Sequence, residues 1–270
     1  MWSTSASARI AQWSDRVGLR LPIEGTMRHL RGAVDTVSYV RDLLRPDKTV
    51  SPQIGDFSST PVMLIHGFMA HARAMRTLRN RLIQDHFTVG WADLGAFNLA
   101  DIRLSARNLS QQIEALLDRT NKPKVDLVAH SMGGLIALYY LQHLGGYSRV
   151  RRLILLGTPV RGTWSAYIGA GLLGLIAPSV WQLIPDSPFV QEVQQAGIPQ
   201  DVSCFSVTGE SDWICPRSST QMPGMPSIEI PVGHTSLITD EAGYQVVRDL
   251  LRIEDAARAV AARNRKSHEA

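Results

Sequence analysis

From Val125 to Tyr140 the chain reads VDLVAHSMGGLIALYY, and this stretch constrains the fold more than any other. Val125 to Ala129 is a short, mostly apolar run of the kind that forms a strand buried on both faces. The run GGLIALYYLQHL that follows is long and apolar enough for a buried helix. Only His130, Ser131 and Met132 stand between strand and glycines. A strand that passes into a helix with no intervening loop must pack that helix back onto its own sheet, which is a β–α unit of a parallel sheet.

The same alternation recurs downstream of Pro61. PVMLIHGF reads as a strand ending in a turn, 71–84 as a helix, and FTVGWAD as a second strand. RNLSQQIEALLDRT is an amphipathic helix with Leu109, Ile113, Leu116 and Leu117 on one face. Strands follow at VRRLILLGTP, VSCFSVTG and SIEIPV, and a helix at EAGYQVVRDLLR closes the series. Near-continuous apolar strands separated by helices predict an α/β fold with a mostly parallel central sheet flanked by helices. In such sheets ligands gather at the carboxyl ends of the strands.

Length and composition narrow the class. With 270 residues and 44% hydrophobic content, the chain suits one large domain or two small ones. Residues 1–58 read as a helical extension and linker: Leu30, Val34, Val37, Val40 and Leu44 form a stripe that stops before Pro46. The main domain spans 59–253, and 254–270 reads as an Ala- and Arg-rich tail that frays. The net charge of +4 is spread along the chain, unlike the concentrated stripe of a nucleic-acid binder. Arg73, Arg76, Arg79 and Arg81 fall on one side of a helix, a solvated face or an attraction for an anionic membrane surface or acidic partner. Two cysteines, Cys204 and Cys215, exclude a disulfide scaffold and leave either two thiols or one bridge. The N-terminus lacks the apolar core of a secretory signal. The longest apolar run, Tyr167 to Trp181, is short for a membrane span and broken by glycines and Pro178. The expectation is a soluble, cytoplasmic protein with peripheral membrane or lipid-surface contact open, and an unknown oligomeric state.

The corner at Ser131 carries the chemistry. A serine hydroxyl is a poor nucleophile at neutral pH and needs a base, exposure and donors for the oxyanion it creates. A sharp strand-to-helix turn lifts the side chain above the sheet, and crowding there demands small residues two before and two after, here Ala129 and Gly133. The competing role for Ser131 is a helix N-cap. The free N–H groups of the new helix point at the site, so Met132 N–H is one oxyanion donor. LIHGF ends an earlier strand, and Gly67 lets the chain turn so that Phe68 N–H becomes the second. His66 reads as a brace for that turn rather than a base. Of the histidines after Ser131, His143 sits in a helix and His268 in the tail, whereas His234 follows the last strand in a loop and is the candidate base. Asp186, Glu192, Asp201, Glu210 and Asp212 lie between them; Asp212, just past a strand end, is favoured as the acid over a role as a turn-forming aspartate.

With these residues in hand, the chain resembles the α/β-hydrolase superfamily and, within it, the bacterial lipase/esterase group. VMLIHGF, VDLVAHSMGGLIALYY, LILLGTPVRGTW, VTGESDWICP and VGHTSLI match that group's blocks in order. The A-H-S-M-G elbow is similar to that of small bacterial lipases, while Val160 stands where the group commonly has histidine. The resemblance implies a triad of Ser131, Asp212 and His234, oxyanion donors at Phe68 and Met132, and no organic cofactor; some lipases bind structural calcium, but nothing in this sequence singles out a metal site. It also places a lid or cap at 162–200, where LIPDSPFV resembles the end of the relatives' insertion. That segment reads either as a mobile apolar cover or as fixed helical packing. Met69, Trp164, Leu172 and Trp181 are the expected substrate-binding residues. The expected activity is hydrolysis of apolar or lipid-like carboxylic esters. Alternatives are an acyltransferase or thioesterase using the same triad, and an idle ligand-binding domain of the same fold.

Overall fold

The computed structural model describes residues 60–70 and 72–266; the extension expected over 1–58 lies outside the described residues. Six strands form one parallel sheet in the order β2-β1-β3-β4-β5-β6. They are β1 (Val62–Ile65), β2 (Val89–Trp91), β3 (Val125–His130), β4 (Val150–Leu156), β5 (Ser203–Gly209) and β6 (Ser227–Ile230). The helices are α1 (Arg76–Gln84), α2 (Ile102–Thr120), α3 (Met132–His143), α4 (Ser165–Leu173), α5 (Pro178–Gln182), α6 (Pro188–Ala196), α7 (Arg217–Thr220), α8 (Ser236–Thr239) and α9 (Glu241–Lys266).

The twofold alternation of strand side chains splits the core in two. Met63, Ile65, Leu127, Ala129, Leu153 and Leu155 face one side and pack on α2 and α3. Val62, Leu64, Val128, Ile154, Leu156 and Val207 face the other, against α1, α8 and α9. Each fully buried Leu or Ile contributes about 1.5–3 kcal/mol relative to exposure, so both layers are firmly held. Helix α2 shows its expected stripe, with Leu109, Ile113, Leu116 and Leu117 buried and Asp101 capping its first turn through Arg103 N and Leu104 N. Helix α3 is buried from Met132 to Leu141, which is why it shows no amphipathic stripe in sequence.

Two sequence expectations change. The arginine row on α1 is packed rather than simply solvated: Arg79 is buried with its guanidinium 4.9 Å from the Trp91 ring centre, and Arg81 donates to Thr239 O at 3.1 Å. Long guanidinium stems cover apolar surface while keeping polar contacts, which charge spacing alone does not reveal. The closing helix α9 continues to Lys266, past the expected end of the domain at Ile253. Among the described residues, no helix is long and apolar enough to cross a membrane.

The segment after β4 forms α4, α5 and α6. Its second half is fixed, with Val180, Leu183, Phe189, Val190 and Val193 buried. Its first half is lightly docked: Ala166 is the buried residue of α4, and Leu175 at the tip is fully exposed. The segment is therefore fixed packing in its second half and an exposed apolar helix in its first.

Candidate active site

The chain reverses sheet direction between β1 and β3, and the carboxyl ends of these strands open the crevice that α/β sheets use for ligands. Ser131 sits at the end of β3 with φ 54 and ψ −131, a conformation that costs a non-glycine residue about 1–3 kcal/mol and collects at functional sites. Close packing holds it there. Ser131 N donates to Leu156 O at 2.9 Å, and Gly134 N donates to Ser131 O at 3.0 Å. A Cβ on Gly67 would lie 2.8 Å from Ser131 Cβ, and one on Gly133 would lie 2.6 Å from His66 O. Both glycines are needed for close approach of β1, the elbow and α3. Phe68, beyond the Gly67 turn, shares a cavity with Ser131, and Met132 N–H lies in the first turn of α3.

Asp212 and His234 meet at the ends of β5 and β6, where His234 Nδ1 lies 2.7 Å from Asp212 Oδ2. Asp212 is buried, and its other oxygen accepts from Cys215 N at 2.7 Å, so the carboxylate is held from two sides. Nδ1 donates to the carboxylate, which leaves the Nε2 lone pair of neutral His234 available as a base. Of the other acids considered, Glu192, on α6, pairs with Arg103. His143 lies 3.8 Å from that same Glu192, away from the elbow. His66 is buried with Nδ1 3.2 Å from Gly67 O, within its own turn.

Cys215 and His130 join this group without having been singled out in the sequence. Cys215 lines the same cavity as Ser131, and burial followed by the Asp212 charge pushes its thiol well above the usual range. The thiol therefore stays protonated. Cys204 is buried on β5 with its thiol pushed up to about 12 by burial, and both cysteines are free. His130 Nε2 lies 3.0 Å from His234 O, and the two rings lie 4.6 Å apart. Its only sequence signal is adjacency to Ser131.

A cavity of about 90 Å³ opens beside Ser131, lined by Phe68, Ala166, Gly169, Val180, Ile214 and Cys215 among others. The four residues expected to bind substrate are placed differently. Met69, Trp164, Leu172 and Trp181 do not line this cavity and are about 49–79% exposed. Helix α4 is apolar around its circumference, so sequence periodicity carries no inward face. The small residues Ala166 and Gly169 turn in, and the large ones stand out. Among the described residues, no group of three or more His, Cys, Asp or Glu side chains is arranged to hold a metal ion.

Residues 60–172 match the family described as the alpha/beta hydrolase fold. The six-stranded parallel sheet, with a strained serine at a strand-to-helix corner, is that fold. The chain has the α/β-hydrolase fold. It is similar to the mature form of the lipase BlEst2 of Bacillus licheniformis, with TM-score 0.62 and 18% identity over 77% of this chain and 96% of that one. It is also similar to a thermophilic esterase of Thermogutta terrifontis, with TM-score 0.50 and 20% identity over 74% and 91% of the two chains. A putative esterase/lipase of Mycoplasma pneumoniae is 28% identical over 96 residues. That match spans 35% of either chain.

Proposed function

We propose that this α/β-hydrolase is a serine carboxylic-ester hydrolase of apolar or lipid-like esters, working through an acyl-enzyme on Ser131. The observation that carries the reading is the 2.7 Å contact between His234 Nδ1 and Asp212 Oδ2, at the same carboxyl-terminal end of the sheet as the strained elbow. A buried carboxylate on Nδ1 sets the imidazole tautomer and stabilises the imidazolium that proton transfer creates.

The steps follow from that arrangement. Ser131 Oγ attacks the ester carbonyl while His234 Nε2 takes its proton. The carbonyl π electrons move to oxygen, and the N–H groups of Phe68 and Met132 stabilise the oxyanion. Collapse of the tetrahedral intermediate breaks the ester C–O bond, and the alcohol leaves with the proton from His234. Water then attacks the acyl-enzyme, giving its proton to His234 and releasing the acid and the serine hydroxyl. The acyl chain enters the cavity between Phe68, Ile214 and the α4–α5 wall.

The surface beside the cavity supports apolar substrates delivered at a lipid surface. Residues 163–185 contain no charged residue. Trp164, Ile168, Leu172, Leu175, Ile176 and Trp213 are all more than half exposed. An apolar patch of this kind marks an interaction site.

The deciding experiment is fluorophosphonate labelling with peptide mapping on the wild type, Ser131→Ala and His234→Ala, together with turnover of p-nitrophenyl esters. The expected result is a label on Ser131 in the wild type, none in Ser131→Ala, and loss of turnover in both variants. Wild-type turnover in Ser131→Ala sinks the reading. A wild type that stays unlabelled with and without detergent points instead to an idle binding domain.

A further inference from the structure

We propose that Asn98 is a positioning residue for the oxyanion hole, and that helix α5 of the cap clamps it in place; this rests on the serine-hydrolase reading above. Asn98 lies in the loop between β2 and α2, far in sequence from every residue of the site, and is fully buried. Its Nδ2 donates to two successive backbone carbonyls, His66 O at 3.2 Å and Gly67 O at 3.3 Å. Both belong to the turn that follows β1. Its Oδ1 accepts no hydrogen bond among the described residues, so the side chain serves that turn purely as a donor. An aspartate of the same shape would set a carboxylate against two carbonyl oxygens.

Peptide geometry turns this contact into an aim. In a trans peptide the C=O and N–H point to opposite sides of one plane. Gly67 C=O and Phe68 N–H share a single plane, and no peptide in the described chain is cis. Holding Gly67 O on Asn98 therefore directs Phe68 N–H the other way, toward the cavity that Phe68 shares with Ser131. The turn runs so close to the elbow that a Cβ on Gly67 would lie 2.8 Å from Ser131 Cβ. An oxyanion donor helps only when it is aligned before charge develops, so the fixing of this peptide plane is a rate-determining property of the site.

The loop that presents Asn98 is itself strained and clamped. Phe97 and Asn98 both have positive φ, 62 and 50, and asparagine is among the residues that tolerate this region best. Next to it, Leu99 O accepts from Ser179 Oγ at 3.0 Å. Gln182 donates to Asp101 Oδ2 at 2.8 Å and accepts from Ile102 N at 2.8 Å. Ser179 and Gln182 both lie on α5. The cap therefore holds the segment that holds the oxyanion turn.

The test uses the full chain with Asn98→Asp, Asn98→Gly and Gln182→Met. Asn98→Gly keeps the freedom to adopt positive φ while deleting the amide, which separates backbone strain from donation. The readouts are kcat and KM on a water-soluble p-nitrophenyl ester, and inhibition by an alkyl trifluoromethyl ketone, whose serine adduct carries an oxyanion. Both Asn98 variants should lose about 10- to 100-fold in kcat with KM within about twofold, and trifluoromethyl ketone affinity should fall in parallel. Gln182→Met should lose several-fold in the same pattern. It remains a test if the Asn98 variants do not fold. Unchanged kcat and unchanged ketone affinity in the folded variants overturn the proposal, as does a loss confined to KM. A wild type that neither labels at Ser131 nor turns over esters fails the parent reading instead.

Discussion

His130 donates its Nε2–H to the backbone carbonyl of His234 across 3.0 Å, so the residue before Ser131 holds the His234 loop. The acceptor is a carbonyl, which fixes the donor atom and the tautomer of His130. Burial, then the charge that nearby His234 can carry, pushes its pKa down to about 3, and His66 adds to the same direction. In the folded protein His130 is therefore a neutral structural donor near neutral pH.

That depressed pKa has a stability consequence. Between pH 3 and its ordinary value near 6.5, unfolded His130 binds a proton that the native state does not. The contribution of this group is full above pH 6.5 and falls with acidification, by up to about 1.4 kcal/mol per pH unit. His130→Gln keeps a donor and removes the titration. Urea midpoints measured from pH 4 to 8 should show a flatter acid limb in this variant, with ester turnover kept within about tenfold. An identical acid limb would show that His130 is not the titrating group.

Asp212 is held by Cys215 N on one oxygen and presents the other to His234. Asp212→Asn preserves shape but places an amide donor opposite Nδ1, favouring the wrong tautomer. The expected loss is about 1000-fold or more in kcat with little change in thermal midpoint. A loss under tenfold would remove Asp212 from the mechanism.

Gly133 and Gly171 make a matched pair. A Cβ on Gly133 would meet the backbone oxygens of His66 at 2.6 Å and Ile65 at 2.7 Å, whereas one on Gly171 meets nothing within 4 Å. Gly133→Ala should cost about 1–3 kcal/mol and lower the thermal midpoint by several degrees, with lost turnover. Gly171→Ala, on the exposed face of α4, should be neutral or stabilising by up to about 1 kcal/mol. Calorimetry of both variants checks the contrast.

The cavity at Ser131 is about 90 Å³, and a Cβ on Gly169 would lie 3.3 Å from Val180 Cγ1. A space this small favours short acyl chains in this conformation. A ladder of p-nitrophenyl esters from acetate to laurate should peak at the short end. Val180→Ala should shift the peak to longer chains, and Gly169→Val should sharpen the short preference. A wild-type peak at laurate would show that α4 moves away during turnover.

The exposed patch predicts binding to zwitterionic phosphatidylcholine vesicles that survives high salt, because residues 163–185 carry no charge to screen. Replacing Leu172, Leu175 and Ile176 with serine should cut vesicle binding at least several-fold while leaving turnover of a soluble short ester intact. Binding that requires anionic lipid and disappears in salt would assign the contact to arginines instead.

Much of this was legible in sequence because it is local. Strand–helix alternation follows from short-range apolar patterning, and the elbow from small residues around Ser131. Chain order left His234 and Asp212 as the foremost candidates, and the structure brings their side chains into contact. The inward face of the segment after β4 was not legible. Helix α4 is apolar all round, so composition pointed to Trp164 and Leu172 while the structure turned Ala166 and Gly169 inward.

By itself, the sequence determined the α/β architecture and the corner that holds a serine under strain, since both depend on residues adjacent or one turn apart. Only the tertiary structure decided that Asn98 reaches the Gly67 turn, that His130 holds the His234 loop, and that Arg79 lies on Trp91. Those contacts join elements separated by the sheet order, and hydrogen bonds between distant segments leave no periodic trace along the chain.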